Sequence, residues 1–508
     1  MTSPDITSIL PIVLTLVFSL YTRNVVIGLF TGVVTATVML TGLNPFSVLS
    51  ELVKSHLVGT VTDSYNAGVI VLMIFIGGFV ALMEKSGGGP AFALQIMTWI
   101  NSRARAQIAS WCGGILIFYS DLGTPLIVGP VFRPLFDKLK VSRQKLAFII
   151  DSTASPVAIL VPFIGWGIYI MGLMQKEFDS YQDNLSAWDG FIRVIPFQFY
   201  AILAIVIVPL LVWRKADFGA MALAEKACVT SSSSSSSSFE SNEAPVIQPF
   251  THKNARASFV FIPLVVMACV LAIMLVPLGF PFNSIPGADF RAGLSSAYFL
   301  AAVALVSLMT WYKVRDLHTS ISLYLSGMSS MMSVIVVLVL AWTLSSLGKE
   351  LGTAQYIAEQ AQRGFPYWLL PAVAFVLSGV ISFATGSSWG TFAIMLPLVI
   401  PTAISIEAAL FVSIGAVLSG GLFGDHCSPI SETTILSATG ASCNQFEHFQ
   451  TQLPYALLNG GVALVSFLIA GFYQHWALFL VSLFAQLILV LMVTKGAKRQ
   501  ALLKTDKG

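Results

Sequence analysis

The apolar positions of this chain come in long runs rather than in alternation. Residues 6–21, 25–40, 191–213, 259–276, 298–311 and 477–493 form such runs, with polar and charged residues gathered between them. About 20 apolar residues cross the hydrocarbon core of a bilayer as a helix. The pattern therefore predicts membrane helices from end to end. Composition sharpens this: of 508 residues 56% are hydrophobic and only 10% charged, against roughly 25% charged in soluble domains. The net charge of +3 is small and sits in loops, which excludes nucleic acid as an expected partner. Cys112, Cys228, Cys269, Cys427 and Cys443 have no metal-ligand spacing. Their odd number in apolar surroundings predicts free thiols. The first apolar run has no basic start and no small-residue cleavage site, so it is expected to remain as a helix.

The clearest change of composition is at residues 216–253, with Ser231–Ser238 unbroken and then Glu240, Glu243, Pro245 and Pro249. Such a stretch is expected to be a flexible linker without a core. On either side the chain resembles itself at a constant offset. Gly123 and Gly390 are 267 positions apart, and so are Thr124 and Thr391, Pro130 and Pro397, Pro134 and Pro401, and Pro162 and Pro429. Proline inside a helix has to be accommodated deliberately, so prolines in phase predict an internal repeat.

Basic loops give the orientation. Lys138, Lys140, Arg143 and Lys145 mark a cytoplasmic loop, whereas the matching segment 404–409 has no basic residue and holds Glu407. Matching loops then face opposite sides, which predicts an inverted repeat of the kind found in secondary transporters. Residues 107–136, between basic flanks, are too few for two crossings, which need roughly 40. They read as a re-entrant hairpin with its tip at Ser120-Asp-Leu-Gly-Thr-Pro125. Residues 144–174 read as a span broken at Asp151-Ser-Thr-Ala-Ser-Pro156. The second half repeats this, with a hairpin at 367–403 whose tip is Thr385-Gly-Ser-Ser-Trp-Gly390. A broken span follows at 408–440, interrupted at Gly424-Asp-His-Cys-Ser-Pro429.

The expected fold is thus an all-α polytopic membrane protein with two inverted-topology repeats, re-entrant hairpins and broken helices. N-terminal helices span 1–67, the first repeat 68–213 and the serine-rich cytoplasmic linker 214–257. Connecting helices span 258–312, the second repeat 313–494 and a cytoplasmic tail 495–508.

Irregular backbone at membrane depth survives only inside protein or against a wet cavity. Four interruptions rich in Ser, Thr, Gly and Asp predict a polar chamber. Asp121, Asp151, Asp425 and Glu432 lie in or beside them. A carboxylate at the centre of a membrane helix costs about 2.5–3.5 kcal/mol to insert, so such residues are expected to work. One carboxyl can hold a proton or face a cation, and the two compete. Oxygen ligands suit a hard cation such as Na⁺. Asp121, Ser152 and Asp425 are the expected Na⁺ ligands. Ser120, Thr124, Thr153, Thr385, Ser387, Ser388, His426, Ser428, Ser431 and Thr433 are the other candidates for binding a transported solute, although any single hydroxyl could instead bond helix to helix. His448 and Glu447 are expected on a solvated face, Glu84 and Lys85 at the interface, and Trp166 and Trp389 beside the chamber. Asp425-His-Cys427 lacks partner ligands for zinc.

The run Gly424-Asp-His-Cys-Ser-Pro-Ile-Ser-Glu-Thr-Thr-Ile-Leu-Ser437 resembles the signature of the NhaC-type sodium/proton antiporter family. So do Gly386-Ser-Ser-Trp-Gly-Thr-Phe-Ala-Ile-Met-Leu-Pro397, Leu126-Ile-Val-Gly-Pro-Val-Phe-Arg-Pro134 and the run from Lys145 to Val157. The resemblance implies a member of the ion transporter superfamily, with scaffold and transport domains, frequent dimerisation and elevator-type movement in an inner membrane. It implies Na⁺ exchanged for H⁺ and no cofactor. Many relatives carry two adjacent acids at the first hairpin tip, where this chain has Ser120-Asp121. Their later motif often reads Ser-Asp-Thr-Thr, where Glu432 stands here. These departures leave room for the alternative, a Na⁺-coupled carrier of an amino acid or small organic acid. A channel is a third reading. An enzyme is the weakest, because no activated nucleophile or metal set is present.

Overall fold

The computed structural model describes residues 5–97, 100–181, 185–230, 250–280, 286–362 and 364–505, and among these it is helical with no strand. Among the described residues eight helices are long and apolar enough to cross a membrane, and two further helix pairs qualify as bent spans. The outer surface carries large apolar side chains such as Phe30, Val265, Ile273, Val376 and Phe484. Water would not tolerate so much exposed apolar surface on a monomer, whereas lipid does.

Leu10–Thr22 and Val25–Thr41 open the chain as a tight pair, joined at Arg23 and capped by the Asn24 side chain on the N–H groups of Val26 and Ile27. The next helical stretch, Pro45–Thr62, turns away by 113°. The threonines of the second helix donate to carbonyls four residues back, as Thr31, Thr35, Thr37 and Thr41 do. This internal bonding satisfies a hydroxyl where no water is available. Ser64–Lys85 then crosses as one uninterrupted helix.

Two helical hairpins follow, one in each half. In the first, Arg103–Leu116 and Gly123–Lys138 flank a non-helical tip at residues 117–122. In the second, Leu370–Thr385 and Ser388–Ser405 are separated only by Gly386 and Ser387. Gly386 has φ +66°, and a Cβ there would lie 2.7 Å from the Ile430 carbonyl, so glycine alone fits this turn. The arms of the second hairpin each suffice in length and composition to cross a membrane, while those of the first do not.

Each hairpin leads into a helix that stops inside the protein. Arg143–Asp151 gives way to Ser152–Ala154, a short turn of helix at Ser155–Ala158 and an irregular stretch before Gly165–Tyr181. Leu410–His426 gives way to residues 427–431 before Glu432–Ala441. Glu432–Ala441 lies against the second arm of the first hairpin, where Gly440 and Gly129 touch backbone to backbone. A Cβ on Gly440 would sit 2.2 Å from the Pro125 carbonyl. Small residues permit this approach where apolar driving force is absent.

The segment expected to be flexible from residue 216 is partly ordered. Gly219–Thr230 is helical with Met221 buried, so the lack of a core does not hold there. It is fixed by charge. Lys145, only 1% exposed, pairs with Asp217 at 2.5 Å, and Glu225 accepts from Arg103 and from the Ser142 N–H. The Ser231–Ser238 run lies outside the described residues. All five cysteines are free thiols.

Candidate functional site: buried carboxylates at the helix breaks

The second break builds a compact oxygen cluster. Asp425 ends its helix one residue before the stop and is 4% exposed. The Ser431 hydroxyl donates to its Oδ1 at 2.8 Å and the Thr433 hydroxyl to its Oδ2 at 2.5 Å. The two hydroxyls are 3.0 Å apart. The break makes this possible, because it turns the chain back so that residues 431 and 433 face the helix end they follow. Ser428 pins the turn by donating to the Phe383 carbonyl at 2.8 Å, and the Gln445 amide donates to the Pro429 carbonyl.

Asp151 is fully buried at the first break, and its partners come from the other half. The Gln452 amide donates to Oδ2 at 2.6 Å, Ser437 to Oδ1 at 3.2 Å, and the Thr434 hydroxyl lies 3.5 Å away. His448 Nε2 stands 3.6 Å from Oδ2. The same Gln452 amide reaches the His426 carbonyl at 3.2 Å, and Tyr200 bonds His426 Nδ1 at 3.1 Å. His448 was expected on a solvated face and is instead fully buried. The signal was in the sequence: His448, Gln452, Tyr455 and Asn459 recur at helical spacing on one face. The contribution of Tyr200 had no such signal.

Asp121 lies at the first hairpin tip, 9% exposed, with Oδ2 making no hydrogen bond of full geometry and the Trp166 side chain beside it. It is within electrostatic reach of both Asp425 and Glu432. Glu432 itself is exposed in the first turn of its helix. Ser120 accepts from the Gly123 N–H at 2.8 Å and donates to Glu84 at 2.6 Å, so Glu84 reaches the tip instead of only bordering the interface. Ser152 is 2% exposed at the end of its helix.

Other candidates are engaged in structure. Thr153, Thr385 and Thr124 each donate to a carbonyl four residues back, at 2.9, 2.8 and 2.8 Å. Ser387 caps the following helix through the Gly390 N–H, and Ser388 donates to the Gly421 carbonyl of a neighbouring helix at 3.2 Å. Trp166 and Trp389 pack against each other at 4.8 Å, and Tyr169 donates to the Trp389 carbonyl.

Paired membrane helices, interrupted where buried carboxylates meet hydroxyls, define a secondary transporter. A profile described as the Na⁺/H⁺ antiporter family matches residues 2–169 and 157–472. The chain belongs to that family, which is one of transporters and not of enzymes. It is similar to an uncharacterised protein of Haemophilus influenzae, with 29% identity over 512 residues, covering 97% of this chain and 96% of the relative. An uncharacterised Na⁺/H⁺ antiporter of the same organism is 34% identical over 100 residues, 19% of this chain and 21% of its own. The fold is like that of the YdaH transporter of Alcanivorax borkumensis, with a TM-score of 0.61 at 16% identity, covering 91% of this chain and 98% of that one.

Proposed function

We propose that the protein exchanges Na⁺ for H⁺ by alternating access, with Asp425, Ser431 and Thr433 as the core of the cation site. The observation that carries this is the oxygen triangle around Asp425. A hydroxyl can donate or accept. With the carboxylate free, the hydroxyls donate to it as found. With Na⁺ present they can turn their lone pairs to the ion alongside the carboxylate. With a proton on Asp425 the ion has lost its counter-charge and leaves. Asp121 supplies a second carboxylate from the other half, and Ser152 and exposed carbonyls of the breaks add further oxygens. Glu432 stands where an entering cation would meet it.

The two halves serve as inverted repeats in this reading. The helix end at Lys138 and the start at Arg143 precede those at Ser405 and Leu410 by the same offset as the prolines. The division into N-terminal helices, two repeats, linker and connecting helices follows from it. The basic loops around the linker and tail support a cytoplasmic location for both, and membership of the family supports an inner-membrane homodimer.

The test is reconstitution in liposomes with lumenal pH followed after Na⁺ addition. Na⁺ alone moves protons in the proposed exchange. Proton movement that appears only with an added amino acid or organic acid rejects it in favour of solute coupling.

A further inference from the structure

We propose that Glu84 is a further cation-binding carboxylate, lent to the first hairpin tip by the neighbouring span. The inference rests on reading that tip as part of the cation path. Here the position before Asp121 is Ser120, and the structure brings a carboxylate to it from elsewhere in the chain. Glu84 ends Ser64–Lys85, and its Oε1 accepts from the Ser120 hydroxyl at 2.6 Å. That hydroxyl also accepts from the Gly123 N–H, so the serine is oriented from both sides and aims Glu84 at the turn.

Three observations separate this from a structural hydrogen bond. Among the described residues no lysine, arginine or histidine forms an ion pair with Glu84. Lys85 acts on Glu84 only through space, from an exposed position, and Arg315 is taken up by the Lys85 carbonyl and the Phe250 ring. Asp121, one residue on from Ser120, has a buried Oδ2 that makes no hydrogen bond of full geometry, with the Trp166 side chain beside it. The Tyr119 hydroxyl, on a residue 4% exposed and within electrostatic reach of Glu84, is unpartnered. A carboxylate without an ion pair beside a buried hydroxyl without a partner is an incomplete coordination shell for a hard cation. A Cβ on Gly123 would lie 2.6 Å from Glu84 Oε1, so glycine there leaves room for the carboxylate.

Two measurements test the assignment. In liposomes, Glu84→Gln raises the Na⁺ concentration for half-maximal exchange about tenfold while the rate at saturating Na⁺ stays within about twofold, the signature of lost ground-state binding. Glu84→Asp restores the wild-type Na⁺ dependence. In wild-type protein, carbodiimide modification of Glu84, read by peptide mass spectrometry, falls as Na⁺ is added. An unchanged Na⁺ dependence in Glu84→Gln overturns the assignment. So does a Glu84 labelling yield that is the same with and without Na⁺, zero included. Wild-type vesicles in which Na⁺ moves no protons would instead overturn the exchange reading, and the labelling result would still report on Glu84.

Discussion

Asp425 and Asp151 are both buried carboxylates at the end of a helix that stops inside the protein, and both meet Ser and Thr hydroxyls, yet only Asp151 has an amide as its closest donor. Around Asp425 the donors are two hydroxyls from its own break, Ser431 and Thr433. Around Asp151 the closest donor is the Gln452 amide, the Ser437 and Thr434 hydroxyls lie farther off at 3.2 and 3.5 Å with His448 beyond them, and all the partners come from the other half. A hydroxyl can reverse its role, whereas an amide NH₂ only donates. The Asp425 cluster can therefore be re-pointed at a cation without leaving a buried group unsatisfied. The Asp151 cluster cannot be re-pointed as a whole, because its closest donor, the Gln452 amide, only donates, and its bonds tie the first break to the helices Glu432–Ala441 and Gln445–Ala470. Similar burial of two acids thus serves two ends, and the chemistry of the donors separates them.

Substitutions can break this contrast. Asp425→Asn removes the charge that faces the ion, and Na⁺-driven proton flux should fall roughly a hundredfold, as for loss of one partner from a buried charge pair. Flux within a few-fold of wild type would place the cation elsewhere. Thr433→Val keeps the shape and deletes one oxygen, so the Na⁺ concentration for half-maximal flux should rise about tenfold, equivalent to one good charged hydrogen bond. Asp151→Asn should leave that concentration within about threefold and lower stability by about 1–3 kcal/mol, read by thermal melting in detergent. The smallest effect belongs to Thr385→Val and Thr153→Val, whose hydroxyls bond only their own helix. Both should melt within about 0.5 kcal/mol of wild type with unaltered Na⁺ dependence. A large change in either would return those hydroxyls to the site.

Much of this architecture is legible in the sequence because lipid imposes simple rules. Apolar runs fix the helices, and glycine, proline and hydroxyl clusters mark where they stop. The second break was expected at residues 424–429, and the helix stops at His426. What stayed hidden depends on packing between distant segments. Lys145 reads as a loop charge but is buried against Asp217, because Gly219–Thr230 folds back over it. Glu84 reads as interfacial because the helix end it closes says nothing of the hairpin tip that meets it. Thr153, Thr385 and Ser388 share the composition of the cluster at Asp425. Only coordinates separate a hydroxyl that bonds its own helix or a neighbouring one from one that faces a carboxylate.

The most direct measurement is a calorimetric Na⁺ titration of detergent-solubilised wild-type protein, Asp425→Asn and Asp151→Asn under one set of conditions. Wild type and Asp151→Asn should give a saturable Na⁺ isotherm, and Asp425→Asn none. Binding that survives in Asp425→Asn, or disappears in a folded Asp151→Asn, would contradict this.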